Sequence, residues 1–325
     1  MNVLDFLLSA LAIGVTFLYG STGEIITEKA GHLNLGIPGI MGIGAACGCA
    51  SLNVMLRIDS ATGSISPILP PWLIVVVALL ATLVGGGLMG LIYSFLAVTL
   101  RSNQNVTGLA MTIFGTGLTK FIFAGLETKG ITYIKAKTYF RFPFSGSNTA
   151  LQYCGIMVFL GIAIAIVSSI VLSRTRVGLH LRSVGESPAT ADAAGINVTA
   201  YKYLATIIGS AIAGLGGLFY VIDYAGSQEA YLTVEAMGWL SVALVIFSLW
   251  RPYISILGSF VFGALFILGA YLPSFGLKID VASSNLIKTL PYAVTIIVLI
   301  ITSIRNRREN QPPASLGVSY FREDR

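Results

Sequence analysis

Charge is what this chain has least of. Asp, Glu, Lys and Arg make up 10% of its 325 residues, against roughly 25% in a soluble domain. Hydrophobic residues make up 55% and the mean hydropathy is +0.83, so a water-soluble globular fold is excluded and the chain belongs in lipid. Histidine is nearly absent, with His32 and His180 alone, which excludes a histidine-built metal site. Cys47, Cys49 and Cys154 lie in apolar runs without ligand spacing and read as small packing residues. There is no G-x-x-x-x-G-K-[ST] loop to cradle nucleotide phosphates, and no Ser/His/Asp, His/Glu/His or Cys/His set at catalytic spacing. Alternating ten-residue strands are missing, which argues against a transmembrane barrel. No Lys or Arg precedes the first apolar run and no small-residue cleavage site follows it, so that run reads as a retained helix and Met1 as the expected start.

What is present is a series of apolar runs long enough to cross a hydrocarbon core of about 30 Å. They fall at 3–20, 35–56, 72–98, 106–124, 150–173, 201–224, 236–250, 254–272 and 289–304. The expected fold is all-α, a polytopic transmembrane bundle of about nine spans forming one domain over 1–304, with a flexible polar tail at 305–325 that carries Pro312-Pro313. Basic residues favour an inner side. With the N-terminus out and the C-terminus in, that side holds 12 of the 20: Lys29, Arg101, the four from Arg174 to Lys202, Arg251 and five in the tail. Lys129, Lys135, Lys137 and Arg141 fall outside. The net charge of +6 follows from this bias and implies no nucleic-acid partner. Glu24, Glu28, Lys29, His32, Lys120, Asp223 and Glu235 fall mostly at predicted span ends, so no buried proton relay is expected.

The longest polar insertion on the inner side is Arg174–Asn197, within a loop over 174–200. Ser187 followed by Pro188 reads as a helix start, because a Ser oxygen accepts an early backbone N–H and Pro loses nothing at the first helical position. Glu186 sets a negative charge beside the positive end of the dipole. Ala189, Thr190, Ala191, Asp192, Ala193 and Ala194 propagate the helix, and Gly195 stops it. Two turns are unstable in isolation, so this helix is expected to be ordered by docking.

The stretch Gly185–Val198, GESPATADAAGINV, resembles the G-E-N-P-x-A-A-x-x-A-G-I-x-V pattern of permease subunits of ATP-binding-cassette importers in the branched-chain amino acid, simple sugar and nucleoside group. Ser187 replaces the usual Asn, and both residues cap helices. Ser21–Ala45, STGEIITEKAGHLNLGIPGIMGIGA, and Thr99–Thr112, TLRSNQNVTGLAMT, resemble two further motifs of that group. Pro38 stands where a Glu is usual, so no carboxylate role carries over there. The resemblance covers both halves and is nearest the purine-nucleoside and simple-sugar branch. It implies that Glu186 to Gly195 form the coupling helix against an ATP-binding subunit, which uses the ATP and Mg while this chain holds no cofactor. It also implies a second permease subunit, an extracytoplasmic substrate-binding lipoprotein, and a place in a bacterial inner membrane. The rival class is a self-sufficient secondary transporter or channel.

Two breaks interrupt the spans. Three glycines and Pro38 within Gly31–Gly39 forbid a smooth helix, and Ala225–Glu229 forms a second break before a short span. The helices before the breaks run in opposite directions, the pattern of inverted repeats. For an uncharged polar solute the pathway candidates are Asn34, Asn103, Gln104, Asn105, Trp239 and Ser241. Each keeps a second reading: Asn34 as a cap, Asn103 to Asn105 as a solvated turn, Trp239 as an interfacial anchor. The clusters Gly85-Gly86-Gly87 and Gly214, Gly216, Gly217 read as close helix packing.

Overall fold

A computed structural model describes residues 3–58, 65–128, 130–141, 155–275, 280, 283, 286–305 and 311–321. Cys154, Lys129, the first residues of the fifth expected span and Arg307, Arg308, Arg322 and Arg325 lie outside them. The helices are α1 (Val3–Lys29), α2 (Ile37–Met55), α3 (Pro71–Ser94, continued by a π-helical turn Phe95–Thr99), α4 (Gln104–Thr128), α5 (Ile156–Arg174), α6 (Arg176–Glu186), α7 (Pro188–Ala193), α8 (Val198–Leu218, continued by a π-helical turn Phe219–Ala225), α9 (Val234–Phe247), α10 (Pro252–Tyr271) and α11 (Leu290–Arg305). Eight of these helical stretches are long and apolar enough to cross a membrane, and the shorter apolar Leu290–Ile301 is a ninth candidate. This is the polytopic all-α bundle expected from the hydropathy pattern. Among the described residues the sole β structure is a ribbon, β1 (Leu56–Ile58) antiparallel to β2 (Ile65–Pro67), with Arg57 opposite Ser66.

Small residues set how closely the helices approach. Lipid tails are as apolar as Leu, so helices associate in a membrane through contact and polar pairing, and a missing side chain lets backbones meet. A Cβ on Gly86 would lie 2.6 Å from the Ser210 carbonyl oxygen, and one on Gly44 would lie 2.4 Å from the Gly214 Cα. These contacts lock α3 and α2 onto α8. The α3–α8 pair is antiparallel, with Gly90 near Thr206 and Thr82 near Gly214. Each of the two helices therefore ends in its π-helical turn at the opposite end of the bundle.

α1 corrects one boundary. Its sequence turns polar at Ser21, where the apolar run ends, yet the helix continues to Lys29. Those polar residues face protein. Ser21 Oγ lies 2.6 Å from Ser255 Oγ, Glu24 Oε1 accepts the Asn34 N–H at 3.0 Å, and the Trp250 indole N–H donates to Glu28 Oε2. Glu24 and Glu28 are consequently buried inside the bundle and do not sit at a wet span end. The donor Trp250 and its neighbour Leu249 adopt left-handed backbone conformations at φ 56° and 54°, which non-glycine residues rarely occupy.

The polarity of the tail reads as flexibility; its described part, 311–321, lies along the bundle. Ser315 N–H donates to the Gly185 carbonyl at 3.0 Å, Gly317 N–H to the Gly31 carbonyl at 3.3 Å, and Gln104 Nε2 to the Val318 carbonyl at 3.4 Å. Backbone groups that would be left unpaired beside the first break thereby find partners.

Candidate functional site

α7 sits at one end of the bundle, between α6 and the start of α8. Three caps build this end. Thr175 Oγ1 accepts the Gly178 N–H at 3.1 Å to start α6, Ser187 Oγ accepts the Thr190 N–H at 3.4 Å to start α7, and Asn197 Oδ1 accepts the Ala200 N–H at 3.0 Å to start α8. Pro188 takes the first helical position. At the other end of α7, Gly195 stands at φ +81°. Its N–H reaches the Asp192 carbonyl and the Ile196 N–H reaches the Ala191 carbonyl, both at 3.0 Å. That is the paired closure of a helix stopped by a left-handed glycine.

Ala191 points inward and is 2% exposed, packed in an apolar cluster with Val184 and Val198, against which Tyr201 and Tyr320 also rest. Ala189, Thr190, Ala193, Ala194 and Gly195 face outward and Glu186 is exposed. The result is a short, small-sided ridge fixed from beneath. Asp192 Oδ2 accepts the Tyr320 hydroxyl at 2.9 Å, so the tail also braces the ridge. Tyr320 and Ser315 were not legible as part of this site, since they contact it across more than 120 residues of sequence.

The pathway candidates separate into groups. Asn34 is fully buried at the first break, where Oδ1 accepts the Gly36 N–H at 3.0 Å and Nδ2 has no partner among the described residues. Ser241 is also fully buried and donates to the Met237 carbonyl at 2.9 Å, beside Gly20 and Met41. Trp239 on α9 is half-buried. Asn103 is an exposed cap whose Oδ1 accepts the N–H groups of Asn105 and Val106 at 3.0 and 3.2 Å, and Asn105 is exposed beside it. Gln104 is buried, with Oε1 accepting the Leu33 N–H at 2.9 Å. It ties the first break to α4. The structure brings Asn34, Leu33 and Gln104 together and leaves Trp239 and Ser241 on another helix. Near them, Pro38, Gly42, Thr116, Lys120 and Glu235 line a narrow cleft between α2, α4 and α9.

At the opposite end, Arg141 Nη2 lies 2.5 Å from Asp223 Oδ1 and 3.1 Å from the Asp223 carbonyl oxygen. This pair fastens the segment after α4 onto the π-helical end of α8. Among the described residues no three His, Cys, Asp or Glu side chains gather as a metal site would require.

The family comparison decides what this bundle of apolar spans, with a small-sided helix braced outside it, belongs to. The family model described as the permease component of the branched-chain amino acid transport system matches residues 6–302. The chain belongs to this permease family. It is 31% identical over 310 residues to the nucleoside ABC transporter permease protein NupC of Lactococcus lactis subsp. cremoris, covering 92% of each chain. It is 29% identical over 337 residues to the guanosine ABC transporter permease protein NupQ of Bacillus subtilis, covering 100% of this chain and 99% of the relative. The glucose ABC transporter permease protein TsgB13 of Haloferax volcanii is 23% identical, over 75% of this chain and 63% of its own. No solved structure matches the chain. The permease is thus a multi-pass membrane subunit of an ATP-binding-cassette importer, and the matched segment runs from the first turn of α1 through all of α2 to α10.

Proposed function

We propose that the permease imports a nucleoside, or failing that a simple sugar, and that α7 is the element through which an ATP-binding partner drives it. The observation that carries this reading is the ridge itself. α7 is capped at both ends, supported through Ala191, and turned outward along Ala189, Thr190, Ala193 and Ala194, which suits insertion into a cleft of another protein. Names of relatives that carry nucleosides and guanosine support the solute class. In this reading the α7 end faces the cytoplasm, supported by Lys29, Arg101, Arg174, Arg176, Arg182 and Arg251 at that end. The partner ATPase consumes ATP and Mg, a second permease subunit completes the membrane unit in the cytoplasmic membrane, and an extracytoplasmic lipoprotein delivers solute at the other end.

Closure of the ATPases would move α7 as a rigid body, because its contacts to α6 and α8 are short and capped. The broken start of α2 gives the moving part a seam. Asn34, whose Nδ2 has no partner among the described residues, and Ser241 are the proposed polar points of the pathway, with Trp239 offering a flat apolar face. Gln104, Asn103 and Asn105 hold the α7-end border of that seam.

The test is an Ala193→Glu variant, which places a charge on the outward face and leaves the supporting cluster intact. Co-purification of the ATPase should be lost while the permease inserts and remains monodisperse in detergent. Full assembly with Ala193→Glu would overturn the docking role.

A further inference from the structure

A cavity of about 420 Å³ opens beside α7, bordering both the ridge and the first break, and it holds a cation that neither of them uses. Its walls come from five places: His32 at the first break, Arg101 and Gln104 between α3 and α4, Asp192, Gly195 and Ile196 at the end of α7, Val198, Thr199 and Lys202 at the start of α8, and Ser319 and Tyr320 of the tail. The volume falls within the range of about 300–1,000 Å³ typical of small-molecule sites.

The decisive residue is Lys202. It is 3% exposed and lines the cavity, yet its ammonium forms no hydrogen bond or ion pair with any described residue. A buried ammonium without a counter-charge is costly, and proteins keep one where something answers it. Nearby groups do not. Burial pushes the His32 imidazole well below the usual histidine range and the Lys202 charge adds to that shift, so His32 is neutral at physiological pH; its Nδ1 lies 3.2 Å from Thr206 Oγ1. The acid in the wall, Asp192, accepts the Tyr320 hydroxyl through Oδ2 and makes no ion pair with Lys202. Arg101 brings a second cation. It adopts a left-handed backbone at φ 55° and carries its guanidinium over the Phe321 ring at 4.8 Å, so its position is fixed by the tail. The first turn of α8 also lines the cavity at Val198 and Thr199, whose N–H groups have no intrahelical acceptor, while the next one, of Ala200, is taken by the Asn197 cap.

We propose that this cavity binds a phosphate group, with Lys202 as its buried counter-charge, Arg101 as a forked donor at the rim, and the start of α8 as a backbone cradle. Guanidinium and ammonium groups around a helix N-terminus are the donor set that phosphate oxygens take. The phosphate arrives either free in solution or as the headgroup of an anionic lipid. Because Asp192, Gly195 and Ile196 form the wall nearest α7 and Tyr320 the wall from the tail, an occupied site would stiffen the support of α7. The site is independent of which solute crosses the membrane.

The experiment uses the permease assembled with its ATPase in nanodiscs of phosphatidylcholine, with radiolabelled inorganic phosphate as the probe. Saturable binding is expected, weakened at least tenfold by Lys202→Met and by Arg101→Gln, and retained by Lys202→Arg. A second readout separates a ligand site from a structural lysine. With no phosphate present, Lys202→Met should melt at the same temperature as the parent or higher, since it removes an unpaired buried charge. Repeating the binding in nanodiscs containing phosphatidylglycerol assigns the source: competition identifies a lipid headgroup, and undiminished binding identifies a soluble phosphate. Absence of saturable binding in phosphatidylcholine, or binding unchanged in both variants, overturns the proposal. So does a lower melting temperature for phosphate-free Lys202→Met. If Lys202→Met instead releases the ATPase without affecting phosphate, the lysine serves assembly and the proposal fails, while the coupling role of α7 stands.

Discussion

Ser187 performs its task with one oxygen. Its Oγ satisfies an N–H at the start of a helix of six residues that has no length to spare. Replacing it by Ala should remove about 1 kcal/mol from that helix, read as roughly fivefold faster hydrogen exchange at the amides of 190–194, whereas Ser187→Asn should exchange at the parental rate. Asp223 is the opposite case, a carboxylate with 1% exposure that depends on the Arg141 guanidinium. Arg141→Met strands that charge at a cost of about 3–5 kcal/mol, so the melting temperature in detergent should fall steeply. The double variant Arg141→Met, Asp223→Asn should recover most of it, and a double variant as unstable as the single one would show that the pair is not the fastening.

Elements divide by whether their cause is local. α7 was legible in the sequence because Ser187, Pro188 and Gly195 act on their own backbone and need no distant partner. The first break was legible for the same reason, through Gly31 at φ +84° and Pro38. The end of α1 was not. Ser21, Glu24 and Glu28 look like residues leaving a membrane, and only the positions of Ser255, Asn34 and Trp250 turn them inward. Asn103 shows the converse: a polar side chain that suits a solute pathway is taken up by its own helix start. The glycine clusters were readable as packing sites, but not their mates. Gly44→Leu should drive a side chain into the Gly214 backbone, costing about 1–3 kcal/mol if the helices can part, and thermal aggregation in detergent should set in earlier. Gly125→Ala on α4, where a Cβ would meet nothing within 4 Å, should be neutral or slightly stabilising by helix propensity.

At the scale of the whole molecule, four sequence-distant segments meet at one end. Gly31, Gln104, Gly185 and Asp192 each bond to residues between Ser315 and Tyr320. Ending the chain after residue 310 should therefore leave every span in place but free the α7 end. Insertion and yield should be unchanged, hydrogen exchange in 185–196 should rise, and ATPase activity in the assembled complex should lose its dependence on solute. Tyr320→Phe, which deletes one hydroxyl bonded to Asp192, should show a milder form of the same change.

The bracing of α7 by residues 315–320 also has a meaning in time. A ribosome makes this stretch after all the helices it touches, so the ridge stays without its brace until the spans before it have been threaded into the bilayer. If α7 is the docking ridge proposed above, an ATPase that meets a half-made permease would find an unfinished surface, and productive pairing would wait for synthesis to reach the tail. On that proposal the order of manufacture would act as a checkpoint on assembly, set by the contacts of Ser315, Gly317 and Tyr320 with Gly185, Gly31 and Asp192.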